Sequence, residues 1–402
     1  MIHRSGNLGL HIAGNNVGLR LLRRRVWGRS GVYLARFLRL RRELTKIMIL
    51  MLVAATIAFL IPISPPTIAL AATNLSIRVH ANHLVNQNGQ IIRLLGVDRS
   101  GTEYECVNSS KVFDGPSNAV SVRAMVDWHI NAVRIPLNED CWLGINGVVT
   151  GGETYRVQIE RYVRILESFG LYAILDLHWS APGSYRAQSQ WPMADLNHAP
   201  TFWKSMAQTF KADHAVIFDL FNEPYITGWS CWRNGCQSSY GLHGSNVFYQ
   251  TAGMQQLVDA VRSTGATTPL MLGGLAYSSD VAHWRRYEPT DPVHQLIVSF
   301  HTYNFGSCNN PACWNSQVAP LAKVIPVVTG EFGENGCTDT YDLTYMPWAD
   351  QHGVSYLGWA WDSTDDNWSC SRGPALIMNY SGTPTAYGLG LKQHLATLKV
   401  QS

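Results

Sequence analysis

The sequence contains no Gly-x-Ser-x-Gly elbow, no phosphate-cradling Gly-x-x-x-x-Gly-Lys loop and no His-Glu-x-x-His pair among its 14 histidines. Those absences argue against a serine-elbow hydrolase, a P-loop nucleotide binder and a zinc protease. Charged residues are sparse, at 15% of 402, while hydrophobic ones make up 46%. That balance excludes a disordered chain and suits a large buried core. Also missing are a Ser/Thr/Pro-rich linker, a second apolar unit after residue 398 and any internal repeat beyond an alternation of strand and helix patterns. A single domain over residues 72–402 is therefore expected, with no separate binding module.

Acidic residues are almost absent from positions 1–46, where Glu43 stands alone against eleven Arg or Lys. The remainder carries 20 basic and 27 acidic side chains, a net of −7. A nucleic-acid backbone needs a field of the opposite sign, so no nucleic-acid partner is expected. The basic start runs into the apolar stretch 47–63, which Ser64-Pro65-Pro66 ends, and Ala69-Leu70-Ala71 follows. This is the pattern of a signal peptide cleaved after Ala71, and it makes residues 1–71 a leader and the mature protein extracellular. The alternative is retention of residues 47–63 as an anchor on the outer face of the cell membrane, although 17 residues are short for a relaxed span.

Cysteine is absent before position 106, and the eight present are an even number in a chain read as exported, which points to disulfides. Cys231 with Cys236 and Cys308 with Cys313 have the spacing of small loop staples. If these pair, Cys106 with Cys141 and Cys337 with Cys370 join neighbouring loops. A structural zinc site is disfavoured, because four residues separate each close pair and no ligand cluster matches.

Beyond the leader, a short hairpin turning near Asn88-Gly89 is followed by eight apolar strand patterns, at 92–97, 131–136, 171–177, 215–221, 269–273, 296–301, 325–330 and 354–361. Amphipathic segments lie between them, clearest in TYRVQIERYVRILESFG and FYQTAGMQQLVDAVRSTG, and residues 385–398 supply a closing helix. The count fits a (β/α)8 barrel; a large open α/β sheet would share it. Polar and aromatic residues decide between the two. Arg134, His178, Asn222 with Glu223, His301 with Tyr303, Glu331 and Trp361 fall at the ends of six strand patterns. A barrel gathers such residues at one mouth.

Two carboxylates at one barrel mouth are the equipment for breaking a glycosidic bond: one protonates the leaving oxygen while the other acts at the anomeric carbon. With Glu223 on the fourth strand and Glu331 on the seventh, the separation expected is the short one, about 5 Å, that permits direct attack.

The segments AVRIP, LDLHW, FDLFNEP, SFHTYNF, VVTGEFG and LGWAWD resemble glycoside hydrolase family five, the cellulase-rich family of clan A, in order over residues 77–398. The resemblance implies a (β/α)8 TIM barrel and a retaining mechanism with Glu223 as acid/base and Glu331 as nucleophile. It implies that Asn222 binds the sugar 2-hydroxyl and that Arg134 and Tyr303 hold Glu331 ionised. His178 and His301 are expected to line the glycone site, Trp361 to form the platform under the sugar at the cleavage point, and Trp179 to add a further contact. Trp191, Trp229, Trp232, Trp314 and Trp368 are read partly as further subsites and partly as loop packing, and Asp362 and Asp365 as either substrate contacts or solvated loop residues. The reaction needs no metal or organic cofactor; the acidic loop Asp362 to Asp366 is the one place considered for a structural calcium.

The expected activity is an endo-acting β-1,4-glucanase on a β-linked polysaccharide, working as a monomer. β-Mannanase and exo-β-glucosidase or exo-glucanase activity on the same site are the alternatives. A catalytically silent carbohydrate-binding barrel is the competitor from another class.

Overall fold

The computed structural model describes residues 39–46, 48, 51, 75–242, 244–364 and 374–398. The chain divides into two units, Met1–Ala69 and Leu70–Ser402. In the first, residues 39–46 are helical. Among the described residues no helix is long and apolar enough to cross a membrane. Most of the apolar run 47–63 and the expected cleavage position after Ala71 lie outside them.

The second unit opens with three short antiparallel strands, Ile77–His80, His83–Asn86 and Ile91–Ile92. Eight parallel strands follow: β1 (Leu95–Asp98), β2 (Ala132–Asn138), β3 (Tyr172–Trp179), β4 (Val216–Asp219), β5 (Leu270–Gly273), β6 (Leu296–Tyr303), β7 (Val327–Gly333) and β8 (Ser355–Gly358). Each pairs with the next and β8 pairs with β1, which closes the barrel. All eight correspond to the strand patterns read from the sequence.

Residues two apart on a strand share a face, and that parity builds the site. Ala132, Ile174, Ile217, Met271, Ile297, Val328 and Leu357 form one apolar cluster, joined by Ile77, Leu84 and Ile92 of the N-terminal strands. Two residues further along the same faces come Arg134, Asp176 and Asp219. The interior is thus apolar at the end covered by the N-terminal strands and charged at the other. The opposite face of each strand packs against helices such as Glu153–Ser168, Ala199–Phe210 and Met254–Arg262.

The amphipathic segment starting at Phe248 is only partly helical. Ser245–Gln250 pairs antiparallel with Gln237–Leu242, and the helix starts at Met254, where the Gln256 side chain caps the Gly253 amide. The Val247-Phe248-Tyr249 run supplies the β-branched and aromatic residues a strand favours, and pairing overrides the helical period. Tyr249 of this inserted hairpin packs with Ala181, Ala187 and Trp191.

Three disulfides have the expected partners: Cys106–Cys141, Cys231–Cys236 and Cys308–Cys313. Cys337 is also disulfide-bonded, but its expected partner Cys370 lies outside the described residues. Of the tryptophans read as subsites or packing, Trp191, Trp232 and Trp314 are fully buried, and Trp229 is buried as well, stacked on Tyr287; Trp368 is not described.

Candidate active site

Arg134 sits inside the barrel with no exposure, and its guanidinium spends its donors on five acceptors. Nη1 donates to Asp98 Oδ1 at 2.9 Å and Glu331 Oε1 at 2.8 Å, Nε to Asp219 Oδ2 at 3.0 Å, and Nη2 to Asn222 Oδ1 at 2.8 Å. Nη2 also lies 3.1 Å from Asp176 Oδ2. One cation therefore faces four buried carboxyl groups. Burial opposes ionisation of all four. Burial pushes Asp98 well above the usual range despite the pull of Arg134, and it raises Asp219 to about 6. Burial also works against ionised Glu331, but His301, Arg134 and His178, together with the Tyr303 hydroxyl, outweigh it and hold that carboxyl at about 2.

Glu331 is placed by a break in strand register. The β6–β7 ladder shifts between Phe300 and His301, so that His301 stands opposite Glu331. Gly330 occupies the shift, where an added Cβ would come within 2.8 Å of His301 Nε2. The second oxygen of Glu331 accepts the Tyr303 hydroxyl at 2.6 Å. Burial, then the charges of Glu331 and Glu223, raise the Tyr303 phenol, so it stays a donor.

Glu223 lies four residues beyond β4, facing His301 Nδ1 at 3.2 Å from its Oε1. One carboxylate oxygen of Glu223, one of Glu331 and one ring nitrogen of His301 all lie within 4.8 Å of one another. His178 Nδ1 bonds Asp176 Oδ2 at 2.7 Å. Burial disfavours the imidazolium of His178, but Asp176, Glu103 and Glu331 outweigh burial and raise its pKa.

These groups open into a cleft of about 820 Å³ lined by His178, Asn222, Glu223, Tyr303, Glu331 and Trp359, with Tyr277 and Phe305 on its wall. The structure brings seven of the expected residues together: Arg134, His178, Asn222, Glu223, His301, Tyr303 and Glu331. It corrects the position of two tryptophans. Trp361 is fully buried, edge-on to Trp128 at 4.8 Å, because β8 stops at Gly358 and the backbone of Trp361 instead bonds Asp98 O at 2.7 Å. The ring that faces the cleft is Trp359, stacked on His178 at 5.5 Å. Trp179 packs beside Tyr104 and against the Trp191 cluster, outside the cleft lining. Asp362 is neither a substrate contact nor a solvated loop residue: it is buried against Arg99 at 3.0 Å. The rest of the acidic loop considered for calcium, Asp365 and Asp366, is not described.

Sequence reasoning missed Asp98, Trp359, Tyr277 and Phe305. Asp98 carried a readable signal, as the polar end of an apolar strand, and Trp359 carried the same one as Trp361.

The model of the cellulase family, glycosyl hydrolase family 5, matches residues 86–365. The chain belongs to this family. Among relatives of this family-5 glycosyl hydrolase, endoglucanase CelA of Streptomyces lividans is 24% identical over 343 residues, 81% of this chain and 65% of that one. A mannan endo-1,4-β-mannosidase of Cellvibrio japonicus is 25% identical over 269 residues, 64% of this chain and 54% of that one. The chain spans between half and two thirds of the length of the curated relatives it matches. In fold it is similar to the β-glucanase SdGluc5_26A of Saccharophagus degradans, with a TM-score of 0.61 at 19% identity, covering 81% of this chain and 94% of that one.

The buried acids of this family-5 chain set how its stability depends on pH. Burial raises Asp140 and Asp219 to about 6 and Glu167 to about 8. A raised carboxyl binds its proton more tightly folded than unfolded, so its contribution is full below about pH 4 and is lost as pH rises through the folded value. Glu331, held at about 2, acts oppositely: its contribution is present above the ordinary carboxylate range and is lost as pH falls toward 2. Scanning calorimetry from pH 3 to 9 is expected to show the highest Tm between about pH 4 and 6, with a fall of several degrees by pH 8. A Tm that climbs steadily to pH 8 would contradict this assignment of protons.

Proposed function

We propose that this chain is a secreted endo-β-1,4-glucanase that works by double displacement, with Glu223 as acid/base and Glu331 as nucleophile. The observation that carries the reading is the close approach of the two carboxylates, within 4.8 Å, with one of them held ionised by Arg134 and Tyr303. A gap that small leaves no room for water between carboxylate and sugar, which favours direct attack. In the first step Glu331 bonds to the anomeric carbon while Glu223 passes its proton to the departing oxygen. In the second, Glu223 takes a proton from water, which displaces Glu331 and restores both groups. Asn222 donates to the sugar 2-hydroxyl, a bond that tightens as charge develops.

Glucan is the favoured substrate because most of the relatives are named endoglucanases, because SdGluc5_26A has been solved with cellotetraose, and because XacCel5A, with a TM-score of 0.55, has been solved with cellopentaose. The cleft wall supports action within a chain. Tyr277 and Phe305 are 51% and 64% exposed, an arrangement costly in water and suited to stacking on sugar rings. Tyr277 is presented by three consecutive left-handed residues, Ala276, Tyr277 and Ser278, each costing about 1–2 kcal/mol. The reciprocal backbone bonds between Leu275 and Asp280 and the Ser278 hydroxyl bond to Asn222 O hold that turn. Strain retained beside a cleft supports a binding role for the residue it displays. Mannan is the second reading, favoured by the Cellvibrio japonicus relative.

Product profiling on carboxymethyl-cellulose, mixed-linkage glucan, mannan, xyloglucan and aryl β-cellobioside tests the reading. Mixed oligosaccharides from a β-1,4-glucan are expected. Tyr277→Ala and Phe305→Ala should each cost about ten-fold in kcat/KM on the polysaccharide, more than on the aryl cellobioside. Release of glucose alone, or faster attack on mannan, would overturn the assignment.

A further inference from the structure

Gln190, on the loop after β3, touches both Asn222 and Glu223 beyond β4. Its Oε1 accepts from Asn222 Nδ2 at 3.1 Å. Its Nε2 donates to the backbone oxygen of Glu223 at 3.0 Å and to that of Trp191 at 3.2 Å. The carboxamide is thereby used up, two donors and one acceptor, and cannot flip without placing like against like. Its own backbone is tied down too: the Tyr225 hydroxyl donates to Gln190 O at 3.2 Å, and Tyr225 N to Pro192 O at 3.0 Å.

The consequence falls on Asn222. Its Oδ1 is taken by Arg134 and one Nδ2 hydrogen by Gln190. The remaining Nδ2 hydrogen faces His178 Nε2 in a long hydrogen bond of 3.4 Å, and both residues line the cleft, where a substrate hydroxyl can take the place of the histidine. Without Gln190, the Asn222 amide keeps Arg134 but loses the second partner that fixes the direction of this hydrogen, and the Glu223 carbonyl loses a donor.

The loop carrying Gln190 is held from outside by the inserted hairpin. Trp191 packs against Tyr240 at 4.6 Å and Tyr249 at 5.1 Å, and the Tyr249 hydroxyl bonds both backbone groups of Met193, at 3.2 Å to N and 2.9 Å to O.

We infer that Gln190 is a positioning residue of the reaction, fixing which hydrogen Asn222 presents to the substrate 2-hydroxyl and anchoring the backbone of Glu223, with the hairpin Gln237–Gln250 as its buttress. This rests on the proposed glycosidase reading of the site.

Gln190→Met keeps the length of the side chain and removes its hydrogen bonds; Gln190→Glu keeps an acceptor for Asn222 but turns oxygens on the Glu223 and Trp191 carbonyls. The two variants and the wild type are compared on an aryl β-cellobioside and on its analogue lacking the 2-hydroxyl of the reacting sugar. On the parent substrate Gln190→Met is expected to lower kcat/KM by about 10- to 100-fold, mainly through kcat, as for a lost bond made in the transition state. On the 2-deoxy analogue the loss should shrink to less than about three-fold, because the bond that Gln190 directs has no partner there. Gln190→Glu should lose at least as much as Gln190→Met on the parent. Equal losses on the two substrates would overturn the inference, since a merely structural role cannot sense the 2-hydroxyl. A second readout does not depend on turnover. The side-chain 15N amide signals of Asn222, identified by their loss in Asn222→Ala, should shift in Gln190→Met; unchanged signals would overturn the inference even if the wild type cleaves none of the glycosides, an outcome that would by itself defeat only the proposed function.

Discussion

Glu331→Ala is expected to lower turnover of a β-glucan by at least about 10,000-fold, and added azide should restore cleavage of an activated aryl β-glycoside with an α-glycosyl azide as product. The reasoning starts from the bonds that fix this carboxylate. Arg134 Nη1 and the Tyr303 hydroxyl hold its two oxygens at 2.8 and 2.6 Å, so it is aimed as well as ionised. Removing it leaves a space on the face of the sugar opposite the leaving group. A small anion entering that space attacks with inversion, hence the α product. Glu223→Ala should give the mirror outcome. An activated leaving group needs little protonation, so the glycosyl-enzyme forms on Glu331 and azide then displaces it to give the β-glycosyl azide. Substantial residual activity in Glu331→Ala, or β product from its rescue, would remove the nucleophile assignment.

Arg134→Met should be the most destabilising single change in the barrel interior. The guanidinium is the shared partner of Asp98, Asp176, Asp219 and Glu331, all within 3.1 Å and all at most 5% exposed in their side chains. Removing one member of a buried ion pair costs about 3–5 kcal/mol, because the remaining charge keeps its desolvation penalty. Here four carboxyl groups lose their partner together, and additional protonation limits the loss. A fall in Tm of about 10 °C is expected, together with a higher pKa for Glu331 and an acid limb of kcat/KM moved to higher pH. Arg134→Lys should recover part of the stability and little of the activity. A single ammonium cannot reproduce the fork that reaches Glu331 and Asn222 at once. A Tm for Arg134→Met within about 2 °C of the wild type would show that the acids are satisfied without the guanidinium.

The barrel could be read from the sequence because a strand covered on both faces has little choice of residue. Runs such as AVRIPL and AILDL are apolar throughout except where the barrel mouth admits a polar side chain. The polar exceptions mark the strand ends, and that is why Arg134, His178, Glu223 and Glu331 stand out in the sequence. Trp361 shows where such reading fails. The pattern of the last strand extends to residue 361, but pairing ends at Gly358, and beyond it residue parity no longer tells inside from outside. Trp359 and Trp361 are equivalent as sequence, and only the turn separates the cleft ring from the buried one. Gln190 failed for a different reason. It sits in a loop with no period, and its importance comes from two partners more than 30 positions away, which no local pattern encodes.

The most direct test of the double-displacement account is the configuration of the first product. Proton NMR during hydrolysis of a soluble cello-oligosaccharide by the wild-type protein resolves the anomeric signals of the newly formed reducing end before mutarotation mixes them. Two carboxylates with oxygens within 4.8 Å suit two successive inversions, so the β-anomer is expected to appear first and the α-anomer only as mutarotation proceeds. Initial appearance of the α-anomer would mean a single displacement by water, and neither the nucleophile role of Glu331 nor the proposed mechanism would survive it.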